Sequence, residues 1–129
     1  MTQRFGTGHL DVIIVEDNAL IALDLQFLLE DLGHRCIGKY ARSGSAMRAA
    51  AERRPDVGLI DLNLADGRTG HMVVEKLSSL GIPCIVISGE ARHNANIGKA
   101  LAVLEKPVNT EVLRRILDEI GGKETIPTE

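Results

Sequence analysis

The chain has 129 residues, 44% of them hydrophobic and 26% charged, enough for one domain with a real core. A net charge of -3 offers no footprint for a nucleic-acid backbone, and the basic pairs Arg53-Arg54 and Arg114-Arg115 sit in helical patterns with acids nearby. Phe5, Phe27 and Tyr40 are too few for base stacking, and no apolar stretch reaches membrane-spanning length.

Residues 1–10 read as an N-terminal extension without the apolar segment of a signal peptide, so a cytoplasmic location is expected. Residues 11–15 form a continuous apolar run, the pattern of a strand buried on both faces. Asn18 suits the cap of a helix whose apolar stripe is Ile21, Leu25, Leu28, Leu29 and Leu32, with Gly33 ending it. Residues 35–40 read as a second strand. Ser43 or Ser45 starts a helix that runs to about Arg54 and stops at Pro55.

Residues 57–60 are a third strand, followed by a loop from Leu62 to Gly70 in which Asp66 and the glycines are turn chemistry. A helix with Val73, Val74 and Leu77 ends at Gly81, and residues 83–87 make a fourth strand. Segment 91–100 reads as a weak, polar helix containing Gly98. Residues 101–105 form a short fifth strand. Asn109 or Thr110 caps a last helix that stops at Gly121-Gly122. Residues 11–121 thus form one domain, and residues 122–129 are expected as a flexible tail. Alternating strands and helices predict an α/β fold with a parallel sheet covered on both faces.

Chemistry collects where the strands end. Glu16 and Asp17 follow the first strand, Asp61 the third, Ser88 the fourth and Lys106-Pro107 the fifth. In open parallel sheets ligands bind at the carboxyl ends of strands, where the strand order reverses. Three carboxylates brought together there repel unless a cation joins them. Mg²⁺, a hard ion that takes oxygen ligands and bridges to phosphates, suits such a site, with the carbonyl of Asn63 as a further ligand. Asp61 is then the candidate nucleophile for a phosphoryl group. Lys106 would neutralise the transferring oxygens, and the Ser88 hydroxyl would hydrogen-bond one of them. Each feature alone is commonplace. Their combination, in order and each after its own strand, is what points to function.

These segments resemble the receiver domain of two-component response regulators. The matching pieces are Ile13-Ile14-Val15-Glu16-Asp17, Leu59-Ile60-Asp61-Leu62-Asn63-Leu64, Val86-Ile87-Ser88-Gly89 and Leu104-Glu105-Lys106-Pro107. The resemblance implies a flavodoxin-like (βα)5 doubly wound sheet of order 2-1-3-4-5, with Mg²⁺ as cofactor. It assigns Glu16, Asp17 and Asp61 to the metal and Asp61 to phosphorylation by a sensor histidine kinase or histidine phosphotransferase. Ser88 and Lys106 would contact the phosphoryl group. A downstream protein target is implied, and a homodimer through the last two helices is a further option. In this strand order Cys36 and Cys84 have two strands between them, which argues against a disulfide.

The chain departs from the family pattern at three places. Leu64-Ala65 stand where Met-Pro is common, which predicts a more mobile loop. Val103 stands where the family often has an aromatic switch residue, and Val108 where an aromatic often follows Lys-Pro. Two other readings compete with a phosphorylated signalling domain that is not an enzyme. One is a pseudo-receiver that binds partners without phosphorylation. The other is an aspartyl phosphatase of the haloacid dehalogenase type, which needs an aspartate as general acid where this chain has Asn63. His34, His71 and His93 share no metal-ligand spacing and read as surface or turn residues.

Overall fold

The computed structural model describes residues 9–89 and 98–122. Five strands form one parallel sheet: β1 (Asp11–Val15), β2 (Arg35–Tyr40), β3 (Val57–Ile60), β4 (Cys84–Ser88) and β5 (Ala102–Glu105). Their order across the sheet is β2-β1-β3-β4-β5, the expected doubly wound arrangement. The described helices are α1 (Ala19–Asp31), α2 (Ser43–Arg53), α3 (Gly70–Ser79) and α4 (Thr110–Ile120). Most of the polar segment expected as a further helix lies outside the described residues, and residues 98–100 are non-helical. The expected tail also lies outside them from residue 123 on, and the extension up to residue 8.

The sheet separates two cores. Val12, Ile14, Val57, Leu59, Ile85 and Ile87 face α1 and α4. Ile13, Val15, Ile60 and Val86 face α2 and α3. Side chains alternate along a strand, so a central strand covered on both sides must be apolar throughout. That is why β3 and β4 are buried along their whole length, and β1 from Val12 on.

Local signals set the helix ends. The Asn18 side chain accepts from the amides of Leu20 and Ile21 at 3.0 and 3.1 Å, and that of Asn109 from the amide of Val112 at 3.0 Å. Gly33, at φ 92°, takes the left-handed turn after α1. Ser43 is the first residue of α2 rather than its cap. The cap position is Arg42, which offers no side-chain hydrogen bond. Cys36 and Cys84 are both free, on strands separated by β1 and β3.

His34 corrects the sequence reading. It is 6% exposed, and its Nδ1 accepts the Leu10 amide at 3.0 Å. The ring therefore ties the entry of β1 to the turn before β2. We predict that His34→Ala costs about 1–3 kcal/mol by leaving a buried amide unsatisfied. Urea denaturation checks this, and a loss below roughly 0.5 kcal/mol would contradict it.

Candidate functional site

The sheet's strand order places β1 beside β3, so the residues that follow them meet at one edge. Backbone bonds continue the ladder past the strand ends: the Asp61 amide donates to the Val15 carbonyl at 2.8 Å, and the Glu16 amide to the Tyr40 carbonyl at 2.9 Å. Glu16 and Asp61 are consequently buried, at 5% and 6% exposure, while Asp17 is exposed. Carboxylate oxygens of Glu16, Asp17 and Asp61 lie within 4.8 Å of one another.

Lys106 arrives from the far side of the sheet. Its amide donates to the Ser88 carbonyl at 3.0 Å, which fixes the chain as it leaves β5. Its ammonium lies 2.8 Å from Asp61 Oδ2 and 3.2 Å from Glu16 Oε1. Burial pulls the Lys106 ammonium's pKa down, but hydrogen bonds and charge attraction from Asp61 and Glu16 outweigh it, and the net shift is upward. The lysine is therefore firmly charged.

Glu16 behaves differently. Burial pushes its carboxyl up to about 7; the Asn18 amide opposes this, the Asp61 carboxylate adds to it, and Lys106 offsets it in part. The Asn18 amide donates to Glu16 Oε2 at 3.1 Å. Among the described residues, three close carboxylates share the Lys106 ammonium and are under-neutralised. Hard oxygen donors at this separation suit Mg²⁺.

Asp61 is held from its own loop as well. The Asn63 amide donates to Asp61 Oδ1 at 3.0 Å. At the loop's other end, a Cβ on Gly70 would lie 2.2 Å from the Asp61 carbonyl oxygen, so only glycine admits this approach. Ser88 closes β4, 1% exposed, on the strand next to β3. Of the residues read from the sequence, Glu16, Asp17, Asp61 and Lys106 come together directly. Ser88 and Asn63 flank them.

The loop after Asp61 is well anchored, contrary to the expectation drawn from its missing proline. Leu64 and Gly67 exchange backbone bonds of 2.8 and 3.0 Å, the Ala65 amide donates to the Ala41 carbonyl at 2.8 Å, and Leu64 is buried in the core. Asp66, read as a turn residue, accepts from the Ser43 amide and hydroxyl. The missed signal was the poor cap at Arg42, which leaves the start of α2 in need of an acceptor. A separate groove of about 410 Å³ opens beside Lys106, lined by Ile21, Leu25 and Leu28 of α1 and by Pro107 and Val108.

A carboxyl whose folded pKa is raised contributes stability that is full below its unfolded pKa. That contribution is lost as pH rises through the folded value, here from about 4.5 through about 7. Metal-free protein should therefore lose the Glu16 contribution across that window, and Glu16→Gln should remove the dependence. Lys106→Met should cost roughly 2–4 kcal/mol above that window and less below it, because two facing carboxylates are left uncompensated. Urea titrations across the window check both; a flat Lys106→Met profile would contradict the charge balance.

Comparison with known proteins agrees with this geometry. The family model described as the response regulator receiver domain matches residues 12–118. The phyllosphere-induced regulator PhyR of Methylorubrum extorquens is 40% identical over 80 residues, covering 60% of this chain and 30% of that protein. The chain thus spans less than a third of that relative. The solution structure of the PhyR response regulator receiver domain of Erythrobacter litoralis superposes with a TM-score of 0.76 at 30% identity, covering 95% of this chain and 97% of that one. The receiver domain of the Pseudomonas aeruginosa sensor histidine kinase PA1611, solved with magnesium coordinated in its active-site cleft, gives a TM-score of 0.77 at 25% identity. It covers 89% of this chain and 99% of that one. With its central sheet, its strand-end acids and nearly all of its described residues accounted for, the chain belongs to the response regulator receiver domain family.

Proposed function

We propose that this receiver domain takes a phosphoryl group onto Asp61 from a histidine of a partner kinase or phosphotransfer protein, and signals by binding a target protein. The observation that carries this reading is the Lys106 ammonium bridging Asp61 and Glu16 beside Asp17. An Asp61 carboxylate oxygen attacks phosphorus and forms a P–O bond as the donor P–N bond breaks. The electron pair leaves on the donor nitrogen, as neutral imidazole when the other ring nitrogen carries the proton. Lys106 neutralises the transferring oxygens, and the Ser88 hydroxyl donates to one of them. Glu16, Asp17, Asp61 and the Asn63 carbonyl would hold Mg²⁺, which supplies charge neutralisation at the phosphoryl oxygens.

The groove beside Lys106 supports a protein donor. It is mostly apolar, is lined in part by Lys106, whose ammonium contacts Asp61, and shares α1 with the exposed Leu20 and Phe27. A helix presenting a histidine would seat there and place the ring over Asp61. The cytoplasm is the proposed location. The second reading, phosphorylation-independent binding, draws support from Val103. It packs partly buried against the α2/α3 core and supplies no switching ring.

Incubation with Mg²⁺ and a small phosphodonor such as acetyl phosphate, followed by intact-mass analysis, tests the central claim. One phosphoryl gain is expected, absent with EDTA and absent in Asp61→Asn. A gain of the same size in folded Asp61→Asn would sink the assignment. Phe27→Ser should slow transfer from the cognate kinase about tenfold while leaving the small-donor rate unchanged. Equal slowing with both donors would place Phe27 in the chemistry or the fold instead.

A further inference from the structure

Asp66 makes contacts that the chemistry at Asp61 does not by itself require. Its carboxylate accepts from the Ser43 amide at 3.1 Å and the Ser43 hydroxyl at 2.6 Å, and from the Thr69 hydroxyl at 3.0 Å. Ser43 is 5% exposed and opens α2, where Arg42 supplies no side-chain cap. The loop that follows Asp61 thus caps a helix from a distance. These hydrogen bonds hold the Asp66 carboxyl down at about 2, so it is an anion near neutral pH.

The tether bears on the site because of what lies between. Asn63 sits in the loop between Asp61 and Asp66. Its amide is bound to Asp61 Oδ1 on one side, and the chain is fixed through Ala65 to Ala41 and through Asp66 to Ser43 on the other. A peptide held at both ends keeps its carbonyl in one direction. Ala41 and Ser43 flank the same β2–α2 connection, so both anchors pull on one piece of rigid structure.

We propose that Asp66 is a positioning residue for the metal site: through Ser43 it holds the loop in the arrangement in which the Asn63 carbonyl and the Asp61 carboxylate bind Mg²⁺ together. This rests on the reading of Asp61 as a metal-dependent phosphoryl acceptor. Groups that orient metal ligands commonly contribute about 10–100-fold to affinity.

The test is calorimetric Mg²⁺ titration of the full chain, paired with amide exchange at Asn63, Leu64 and Ala65 in metal-free protein. Asp66→Ala should weaken Mg²⁺ about tenfold and speed exchange at those amides. Asp66→Asn keeps an acceptor oxygen for Ser43 and should recover most of both. Asp56→Ala removes a carboxylate that accepts the Asp11 amide at 2.7 Å, at the opposite edge of the sheet. It should lower stability and leave Mg²⁺ affinity at the wild-type value. Wild-type affinity in Asp66→Ala, or equal weakening in Asp56→Ala, overturns the positioning role alone. Failure of the wild-type protein itself to bind Mg²⁺ overturns it together with the reading of Asp61.

Discussion

The mutual repulsion of Glu16 and Asp61 is the constraint on which the rest of this molecule turns. Both carboxylates are buried at the edge of the sheet, and among the described residues one ammonium, that of Lys106, bridges them. One positive charge cannot satisfy two buried carboxylates and the exposed Asp17 beside them. Burial, with a smaller contribution from the neighbouring Asp61 carboxylate, drives the Glu16 carboxyl up to about 7. A site in this condition gains most from a divalent cation and an incoming group that brings its own electrostatic partners. The proposed function therefore rests on an imbalance that the fold imposes.

The fold imposes it through topology. Placing β1 next to β3 brings two strand ends carrying acids into contact, and β4 and β5 deliver Ser88 and Lys106 from one side. The apolar runs between these residues bury both faces of the sheet, so the polar groups can emerge only at its edge. Core packing and site chemistry thus use the same sequence pattern. The β3–α3 connection adds the finer placement, with Gly70 pressed against the Asp61 carbonyl and Asp66 reaching to α2.

The sheet and the acidic cluster were legible from the chain because their signals are local. Val12 to Val15 is unmistakably a doubly buried strand, and a carboxylate just past such a strand marks the edge. Asn18, Gly33 and Asn109 announced their helix ends through short-range hydrogen bonding and backbone conformation. His34 and Asp66 were not legible, because each acts on a partner far along the chain. His34 satisfies Leu10, and Asp66 caps a helix that begins at Ser43. Composition gives no hint of such pairings, and a missing proline suggested looseness where long-range bonds supply the anchoring.

The most direct test of this charge imbalance is the number of protons released when Mg²⁺ binds. Calorimetry near neutral pH, in buffers of different ionisation enthalpy, measures it. Release of a fraction of a proton is expected from wild-type protein, because Glu16 must ionise to ligate the ion, and none from Glu16→Gln. Mg²⁺ binding with no proton release, or with equal release from Glu16→Gln, would contradict it.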